Sequence, residues 1–194
     1  MKRFFAAVLA ALLIVSLCAA CAPKKEEPLP SESPSGSTAP VIFFDAPAEF
    51  ESVQFNTKDL SGNAQTQEMF AEHELTLVNV WATWCSPCIE ELPILDKIYQ
   101  EGEIGVVGIV IESRDDDVAD FAAGILKKSG ATYPVLRVTE EMEKSFLSGI
   151  DAMPTTFFVD GEGNVVGGLY IGAREELEWR DTIASVQEKL HEEK

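Results

Sequence analysis

Two near-continuous apolar runs, each followed by a segment of helical periodicity, constrain the fold of this chain most strongly. Residues 75–81 and 104–111 are almost wholly apolar, which is typical of strands that are buried on both faces. In the segments that follow them, 86–100 and 115–128, apolar side chains recur every three or four positions, as on one face of a helix. Strands that alternate with helices in this way predict a sheet with parallel pairing and helices packed against it.

Shorter elements complete the predicted domain. Apolar stretches at 41–44 and 53–55, followed by the turn signal Ser61-Gly62-Asn63, favour a β-hairpin and then a short helix near residues 67–72. Further along we predict a short strand at 133–138 and a short helix at 140–148. A β-hairpin of strands at 155–159 and 165–171 follows, and an amphipathic helix at 175–190 closes the domain. The prediction is therefore an α/β fold, with a central mixed β-sheet flanked by helices and an N-terminal β-hairpin extension.

Residues 1–20 have the layout of a secretory signal peptide. A basic start and an apolar run over residues 4–17 are followed by small residues and then by Cys21. The segment that ends at Cys21 resembles a bacterial lipobox, which implies that this cysteine becomes the lipidated first residue of the mature chain. The lipobox usually carries Leu three positions earlier, where this chain has Cys18. The alternative is an ordinary cleaved signal peptide followed by a disordered leader.

Residues 21–40 have a composition that disfavours packing. They include five prolines and four serines, and such a stretch cannot bury enough apolar surface to offset the entropy that ordering would cost. We therefore predict a lipid-anchored disordered tether at 21–40 and a folded domain at 41–194. The domain is expected outside the cytoplasmic membrane, on the outer face of the cell membrane or in the periplasm.

The charge of the chain excludes some classes of partner. There are 33 acidic and 15 basic residues, which give a formal net charge of −18. A surface this acidic repels phosphate groups, so it argues against nucleic-acid binding and against a broad electrostatic hold on anionic lipids. A lipid anchor, and not surface charge, is thus the predicted attachment to the membrane.

Two of the four cysteines, Cys85 and Cys88, fall within the predicted domain, where a buried strand ends and a helix begins. At a helix N-terminus, free N–H groups and the helix dipole stabilise a thiolate on the first cysteine. The second cysteine is then placed to attack a mixed disulfide and release the bound partner. Pro87 suits this position, because its fixed φ fits the first helical turn and its missing N–H would be unpaired there. The spacing therefore indicates a redox-active pair.

Three other interpretations of the pair fit the residues less well. A structural zinc site needs four ligands, and the two histidines, His73 and His191, are not at ligand spacing. A purely structural disulfide suits an oxidising compartment, but its loop is so short that it constrains the unfolded chain little. A peroxidatic cysteine would be expected three residues after a threonine, and Ala82 stands there before Cys85.

Two separate motifs resemble the thioredoxin superfamily, and in particular its TlpA/ResA branch of membrane-tethered thiol–disulfide oxidoreductases. The motifs are Trp81-Ala82-Thr83-Trp84-Cys85-Ser86-Pro87-Cys88 and Met153-Pro154-Thr155-Thr156-Phe157. The resemblance covers residues 45–190, and it implies a thioredoxin-like fold in which Cys85 is the exposed nucleophile and Cys88 the resolving thiol. It further implies active-site neighbours on both sides of the cysteines and in a cis-proline segment: Trp84, Ser86, Pro87, Met153, Pro154 and Thr155.

One position departs from the family pattern. Thioredoxins carry a buried Asp in the strand before the active site, and this chain has Asn79, which cannot shuttle a proton. In the ResA-like branch an acid from the next strand serves instead, and Glu112 stands at the matching place. The alternative for Glu112 is a solvated acid at a strand end. Glu90 and Glu91 are more simply interpreted as carboxylates that suit the first turn of a helix.

The resemblance implies a reductase of disulfides in exported proteins, with a membrane electron donor of the CcdA type and a place in cytochrome c maturation or protein repair. It implies a monomer that holds no metal and needs no cofactor besides the Cys85–Cys88 disulfide. Two alternatives stay open: a redox-dependent binding or sensor module without turnover, and a disulfide oxidase or isomerase. The dipeptide Ser86-Pro87 does not determine the reduction potential, and hence it does not determine the direction of electron flow.

Overall fold

The computed structural model describes residues 42–45 and 51–192. The predictions for residues 1–20 and 21–40, including lipidation of Cys21, lie outside the described residues. Within the described ranges, no helix has both the length and the apolar character that crossing a membrane requires.

Eight strands, four α-helices and one 3-10 helix are found in the described part of the chain. The strands are β1 Ile42–Asp45, β2 Asn56–Lys58, β3 Ala64–Thr66, β4 Leu75–Trp81, β5 Gly105–Val110, β6 Val135–Arg137, β7 Thr155–Asp160 and β8 Val165–Ile171. The helices are the 3-10 helix Gln67–Glu72 and the α-helices α1 Ser86–Glu101, α2 Asp116–Ser129, α3 Glu140–Lys144 and α4 Glu176–Glu192. The predicted order is confirmed, although α3 ends at Lys144, earlier than predicted.

Six of the strands form one mixed sheet in the order β1-β8-β7-β4-β5-β6. Strands β4, β5 and β6 are parallel, whereas β7 pairs antiparallel with β4, β8 with β7, and β1 with β8. All seven residues of β4 are buried, as an apolar run in the middle of a covered sheet requires. The predicted central mixed sheet is therefore confirmed, and its most buried strand leads directly to the two cysteines.

Helices cover both faces of this sheet. On one face α1, α2 and α4 pack around a core that includes Leu92, Leu95 and Trp179. On the other face, α3 and the 3-10 helix contribute Met142 and Phe70 to a second core. Burial of these two apolar faces is the main stabilisation of a layered α/β fold.

The N-terminal hairpin is present, but it is not built from the predicted apolar stretches. Strands β2 and β3 pair around the predicted turn, where Asp59 Oδ1 accepts hydrogen bonds from the N–H groups of Ser61 and Asn63, both at 2.9 Å. Residues 42–44 of the first stretch instead lie in β1, which pairs with β8, and Val53 is buried outside any strand. The physical reason is that apolar residues gain more from the core, where Val53 and Phe55 are buried, than from the largely exposed hairpin.

Candidate active site

The two cysteines occupy the junction between β4 and α1. Cys85 is the N-cap residue of this 16-residue helix, and its Sγ accepts a hydrogen bond from the N–H of Cys88 at 3.3 Å. The two side chains form a disulfide, with their Cα atoms 5.3 Å apart. Because the N-terminus of α1 faces the Cys85 sulfur, its free N–H groups and dipole favour a thiolate there once the disulfide is reduced.

The two cysteines differ in accessibility. Cys88 is fully buried, whereas 5% of the Cys85 surface is exposed. Around Cys85, the side chains of Trp84, Ser86 and Pro87 are exposed, Trp84 at 73%. Cys85 is therefore the more accessible of the two cysteines. The resemblance implied that Cys85 itself is exposed. In the structure Cys85 is largely buried, and the exposed residues are its neighbours Trp84, Ser86 and Pro87, which form a rim around it.

The second sequence motif lies at the same end of the sheet as the cysteines. Strand β7 begins at Thr155, which lies opposite Val80 near the end of β4. The peptide bond between Met153 and Pro154 is cis, and the carbonyl of Pro154 accepts a hydrogen bond from the N–H of Gly172 at 2.9 Å. Met153 packs against the cluster of buried residues that contains both cysteines. The antiparallel register thus brings the two motifs together.

Glu112 follows β5 and contacts the loop that precedes Cys85. Its Oε1 accepts hydrogen bonds from both the N–H and the hydroxyl of Thr83, each at 2.7 Å. Its Oε2 is buried and has no hydrogen-bond partner among the described residues. Since Thr83 stands two positions before Cys85, Glu112 holds this loop in place. Its predicted part in proton transfer stays a prediction.

Glu91 is a candidate site residue that the sequence analysis does not single out. It is 1% exposed, and it stands three residues after Cys88, so both side chains lie on the same face of α1. Its Oε1 accepts hydrogen bonds from the N–H of Arg174 at 2.7 Å and from the indole N–H of Trp179 at 2.8 Å. Its Oε2 accepts one from Asn79 Nδ2 at 3.2 Å. The carboxyl is therefore held in the core beside the resolving cysteine.

Burial raises the pKa of Glu91 to about 7, against the opposing effects of its hydrogen bonds and of the Arg174 charge. A carboxyl that is half protonated near neutral pH can both accept and donate a proton. Glu91 is thus not the ordinary first-turn carboxylate that the sequence analysis predicts. One sequence signal points to it, because position 91 lies on the same helical face as Cys88, Leu92 and Leu95.

Asn79 connects this carboxyl to the sheet. It is fully buried in β4, and its Nδ2 donates both to Glu91 Oε2 at 3.2 Å and to Thr156 Oγ1 at 2.9 Å. An amide at this position supplies hydrogen bonds but has no titratable proton. The carboxyl that contacts Asn79 therefore comes from helix α1, while the strand contributes a neutral partner that orients it.

The geometry does not support a zinc site at the cysteines. His73 precedes β4, whereas the cysteines follow it, and a seven-residue strand separates its ends by about 20 Å. His191 lies at that same distant end, since its Nε2 is 3.6 Å from Glu74 Oε1. Within residues 51–192, no group of three or more His, Cys, Asp or Glu side chains is arranged to hold a metal ion.

The model of the redoxin family matches residues 34–178 of the chain. The chain belongs to the redoxin family. This redoxin is also 33% identical over 136 residues to thiol:disulfide interchange protein DsbE of Haemophilus influenzae, an alignment that covers 70% of this chain and 72% of the relative. It is 28% identical over 119 residues to thiol-disulfide oxidoreductase ResA of Bacillus anthracis, which covers 61% of either chain.

A solved structure is similar as well. The thiol:disulfide interchange protein of the thioredoxin family from Chlorobium tepidum aligns with a TM-score of 0.58 and 26% identity, over 76% of this redoxin and 97% of that chain. Together these similarities confirm the thioredoxin-like fold and the resemblance to the TlpA/ResA branch. They identify this redoxin as a thiol–disulfide oxidoreductase.

Proposed function

We propose that this redoxin reduces disulfides in exported proteins by dithiol exchange through Cys85 and Cys88. The observation that carries the proposal is the asymmetry of the pair at the N-terminus of α1. Cys85, the N-cap residue, is 5% exposed, whereas Cys88 is fully buried. Such an arrangement suits attack by the first thiolate and resolution by the second.

The exchange proceeds in two displacement steps. In the reduced protein, the Cys85 thiolate attacks one sulfur of a substrate disulfide, the substrate S–S bond breaks, and the departing sulfur takes up a proton. The thiolate of Cys88 then attacks the Cys85 sulfur of the mixed disulfide, and the second substrate sulfur leaves and is protonated. Two electrons pass to the substrate, and the protein retains the Cys85–Cys88 disulfide seen in the structure. No cofactor besides this disulfide takes part in the proposed reaction.

The second step requires a base, because Cys88 must lose its proton while it is buried. Glu91 supports this role through its position one turn further along α1 and its pKa of about 7. Glu112 is the second candidate, as the resemblance implied, since it contacts the Thr83 loop and has a buried oxygen that no described residue hydrogen-bonds. We assign Glu91 as the acceptor on the Cys88 side and Glu112, which follows β5, as a second acid that contacts the loop before Cys85.

The substrate is proposed to approach over the rim of Cys85. The rim consists of exposed side chains beside the cysteines and of the segment that contains the cis-proline, namely Trp84, Ser86, Pro87, Met153, Pro154 and Thr155. The large exposed indole of Trp84 offers apolar contact area to an approaching polypeptide.

The N-terminal sequence supports a location outside the cytoplasmic membrane. We propose export through the signal peptide at residues 1–20, lipidation of Cys21, and a flexible tether at 21–40. A coil of twenty residues has a root-mean-square span of about 25 Å, so the domain at 41–194 would work close to the membrane as a monomer. There a membrane donor of the CcdA type would re-reduce the disulfide, and cytochrome c maturation is the proposed pathway.

Reduction of insulin disulfides by the reduced full-length protein tests the proposed function. We expect the wild-type protein to reduce insulin and the Cys85→Ser variant to do no more than the buffer. Ser185→Ala, at an exposed serine of α4 outside the site, is the matched control and should keep the full activity. Undiminished activity of Cys85→Ser would refute the assignment. A Cys88→Ser variant should trap many exported proteins as mixed disulfides, whereas capture of a single partner would favour a binding or sensor module.

A further inference from the structure

Arg174 is a buried arginine whose guanidinium has no hydrogen-bond partner in the part of the chain that the structure describes. It lies between β8 and α4 and is 6% exposed. Its Nε and both Nη atoms are buried without a hydrogen bond to any described residue. Burying a cation in this way is unfavourable unless other interactions compensate for the lost hydration. The surroundings of Arg174 therefore have to supply that compensation.

Two aromatic rings enclose the guanidinium. Its Cζ lies 5.1 Å from the centroid of the Tyr170 ring and 5.0 Å from that of the Trp179 ring. Both distances fall within the range of favourable cation–π contact. Because these rings bind the cation through their faces, they stabilise its charge without using up its hydrogen-bond donors or neutralising it.

The same residues surround the Glu91 carboxyl. Oε1 of Glu91 accepts hydrogen bonds from the backbone N–H of Arg174 and from the indole N–H of Trp179. The positive charge of Arg174 also acts on Glu91 and opposes the effect of burial on the pKa of this carboxyl. Arg174 thus contacts Glu91 with its main chain, while its side-chain charge acts on the carboxyl through space.

The other groups that face this pair are two acidic residues and several neutral groups. They are Tyr133, Tyr170, Glu178, Asn79, Thr156 and the Cys85–Cys88 disulfide, with Asp96 beyond Tyr133. Burial raises the pKa of both tyrosines, which keeps them neutral. Glu178 attracts Arg174, but its Oε2 also accepts a hydrogen bond from the N–H of Glu175 at the start of α4. Arg174 is therefore the cation that balances the burial of Glu91.

We propose that Arg174 is a positioning residue of the redox site, whose caged guanidinium keeps the Glu91 carboxylate available as a base beside Cys88 at neutral pH. The inference rests on the proposed function, in which Glu91 takes the proton of Cys88. A bidentate salt bridge would hold the carboxylate more firmly in its charged form. A cation held by aromatic rings stabilises the charge while leaving Glu91 able to take up a proton.

The titration of Glu91 in the oxidised full-length protein tests this inference, and carbon-13 NMR of its carboxyl group measures it. Arg174→Leu keeps the backbone N–H but removes the charge, so we expect the midpoint to rise by roughly one to three pH units. Arg174→Lys should restore most of the difference. Arg180→Leu is the matched control, because it removes a cation of α4 that pairs with Glu101 and Glu176; it should leave the midpoint unchanged.

A folded Arg174→Leu variant with the wild-type midpoint would overturn the inference. If that variant does not fold, the wild-type protein decides the question through the nitrogen-15 resonances of the Arg174 guanidinium. These should shift with the same midpoint as the Glu91 carboxyl and lose that response in Glu91→Gln, and an absent response would equally overturn the inference. Neither readout depends on turnover, so failure of insulin reduction would refute the proposed function without changing the result for Arg174.

The pH profile of insulin reduction tests whether Arg174 affects the thiol–disulfide exchange itself. In Arg174→Leu, the pH at which activity rises should increase by the same interval as the Glu91 midpoint. Arg174→Lys should return it towards the wild-type value. A merely structural role would lower activity at every pH without displacing the profile, and such a result would also contradict the inference.

Discussion

At the scale of single residues, Glu91 links the chemistry of the cysteines to the stability of the fold. Its pKa is about 7 in the folded protein against an ordinary value of 4.5. Between these pH values the folded protein binds more protons than the unfolded chain does. The free energy of unfolding therefore falls as the pH rises through this window. The folded protein is more stable with Glu91 protonated than with Glu91 ionised.

Glu91→Gln should remove this pH dependence. From pH 4 to pH 8, the variant should gain about 3 kcal/mol in free energy of unfolding relative to the wild-type protein, because a neutral amide needs no ionisation in the core. Urea unfolding of both oxidised proteins at the two pH values measures the difference. Glu90→Gln, at the exposed neighbouring position, should follow the wild-type protein. Parallel pH curves for wild type and Glu91→Gln would contradict the assignment of a raised pKa.

The sequence predicts the cysteines and Pro154 because each belongs to a local motif, but it does not predict the burial of Glu91. Its spacing places it on the apolar face of α1, but spacing alone does not show which partners would satisfy a buried carboxylate there. What buries Glu91 lies 83 and 88 residues away, at Arg174 and Trp179. Its environment is a tertiary effect that local spacing does not encode.

At the scale of elements, the close packing of β4 and β6 against Gly108 in β5 positions the loop that leads to Cys85. A Cβ atom on Gly108 in β5 would lie 2.8 Å from Val135 Cγ2 in β6, and 3.3 Å from Trp81 Nε1 at the end of β4. Such distances leave no room for a methyl group. The absence of a side chain at residue 108 therefore lets β6 and Trp81 pack closely beside the loop that leads to Cys85.

Replacing glycine by alanine at residue 108 and at residue 124 should change the free energy of unfolding in opposite directions. Gly108→Ala should lower the free energy of unfolding by about 1–3 kcal/mol through overpacking. Gly124→Ala should raise it by about 0.5–1 kcal/mol, because residue 124 is exposed within α2 and no atom lies within 4 Å of its added Cβ. Urea unfolding measures both values. A neutral effect of Gly108→Ala would contradict the close packing of β4, β5 and β6.

Elements that are buried on both faces are the ones that the sequence predicts best. Strand β4 coincides with its predicted range, because seven consecutive buried residues leave an unbroken apolar run. Strands β2 and β3 have no such run, since most of their residues are exposed or partly exposed. The pairing of β1 with β8 joins residues near opposite ends of the domain, and no local pattern specifies it.

At the scale of the whole molecule, the proposed lipid anchor would determine where the redox domain acts. A lipid on Cys21 and a tether at 21–40 would confine an acidic domain, which has no electrostatic affinity for anionic lipid, to the membrane surface. The anchor would then supply the membrane attachment that the charge of the chain opposes.

Cys21→Ser should therefore release the protein from the membrane. In fractionated cells, we expect the variant in the soluble exported fraction, with insulin reduction retained because the cysteines of the site are unchanged. Cys18→Ser is the matched control and should stay with the membrane fraction. Retention of Cys21→Ser in membranes washed at high salt would show that another segment anchors the chain.

The reduction potential of the Cys85–Cys88 pair tests the central claim most directly. The protein would be equilibrated with glutathione buffers of increasing ratio, and its free thiols alkylated and counted. We expect one reversible two-electron transition close to the thioredoxin value of about −270 mV. A transition near about −120 mV, the value of the strong oxidant DsbA, or a pair that cannot be reduced and reoxidised, would contradict a reductase that works through these two sulfurs.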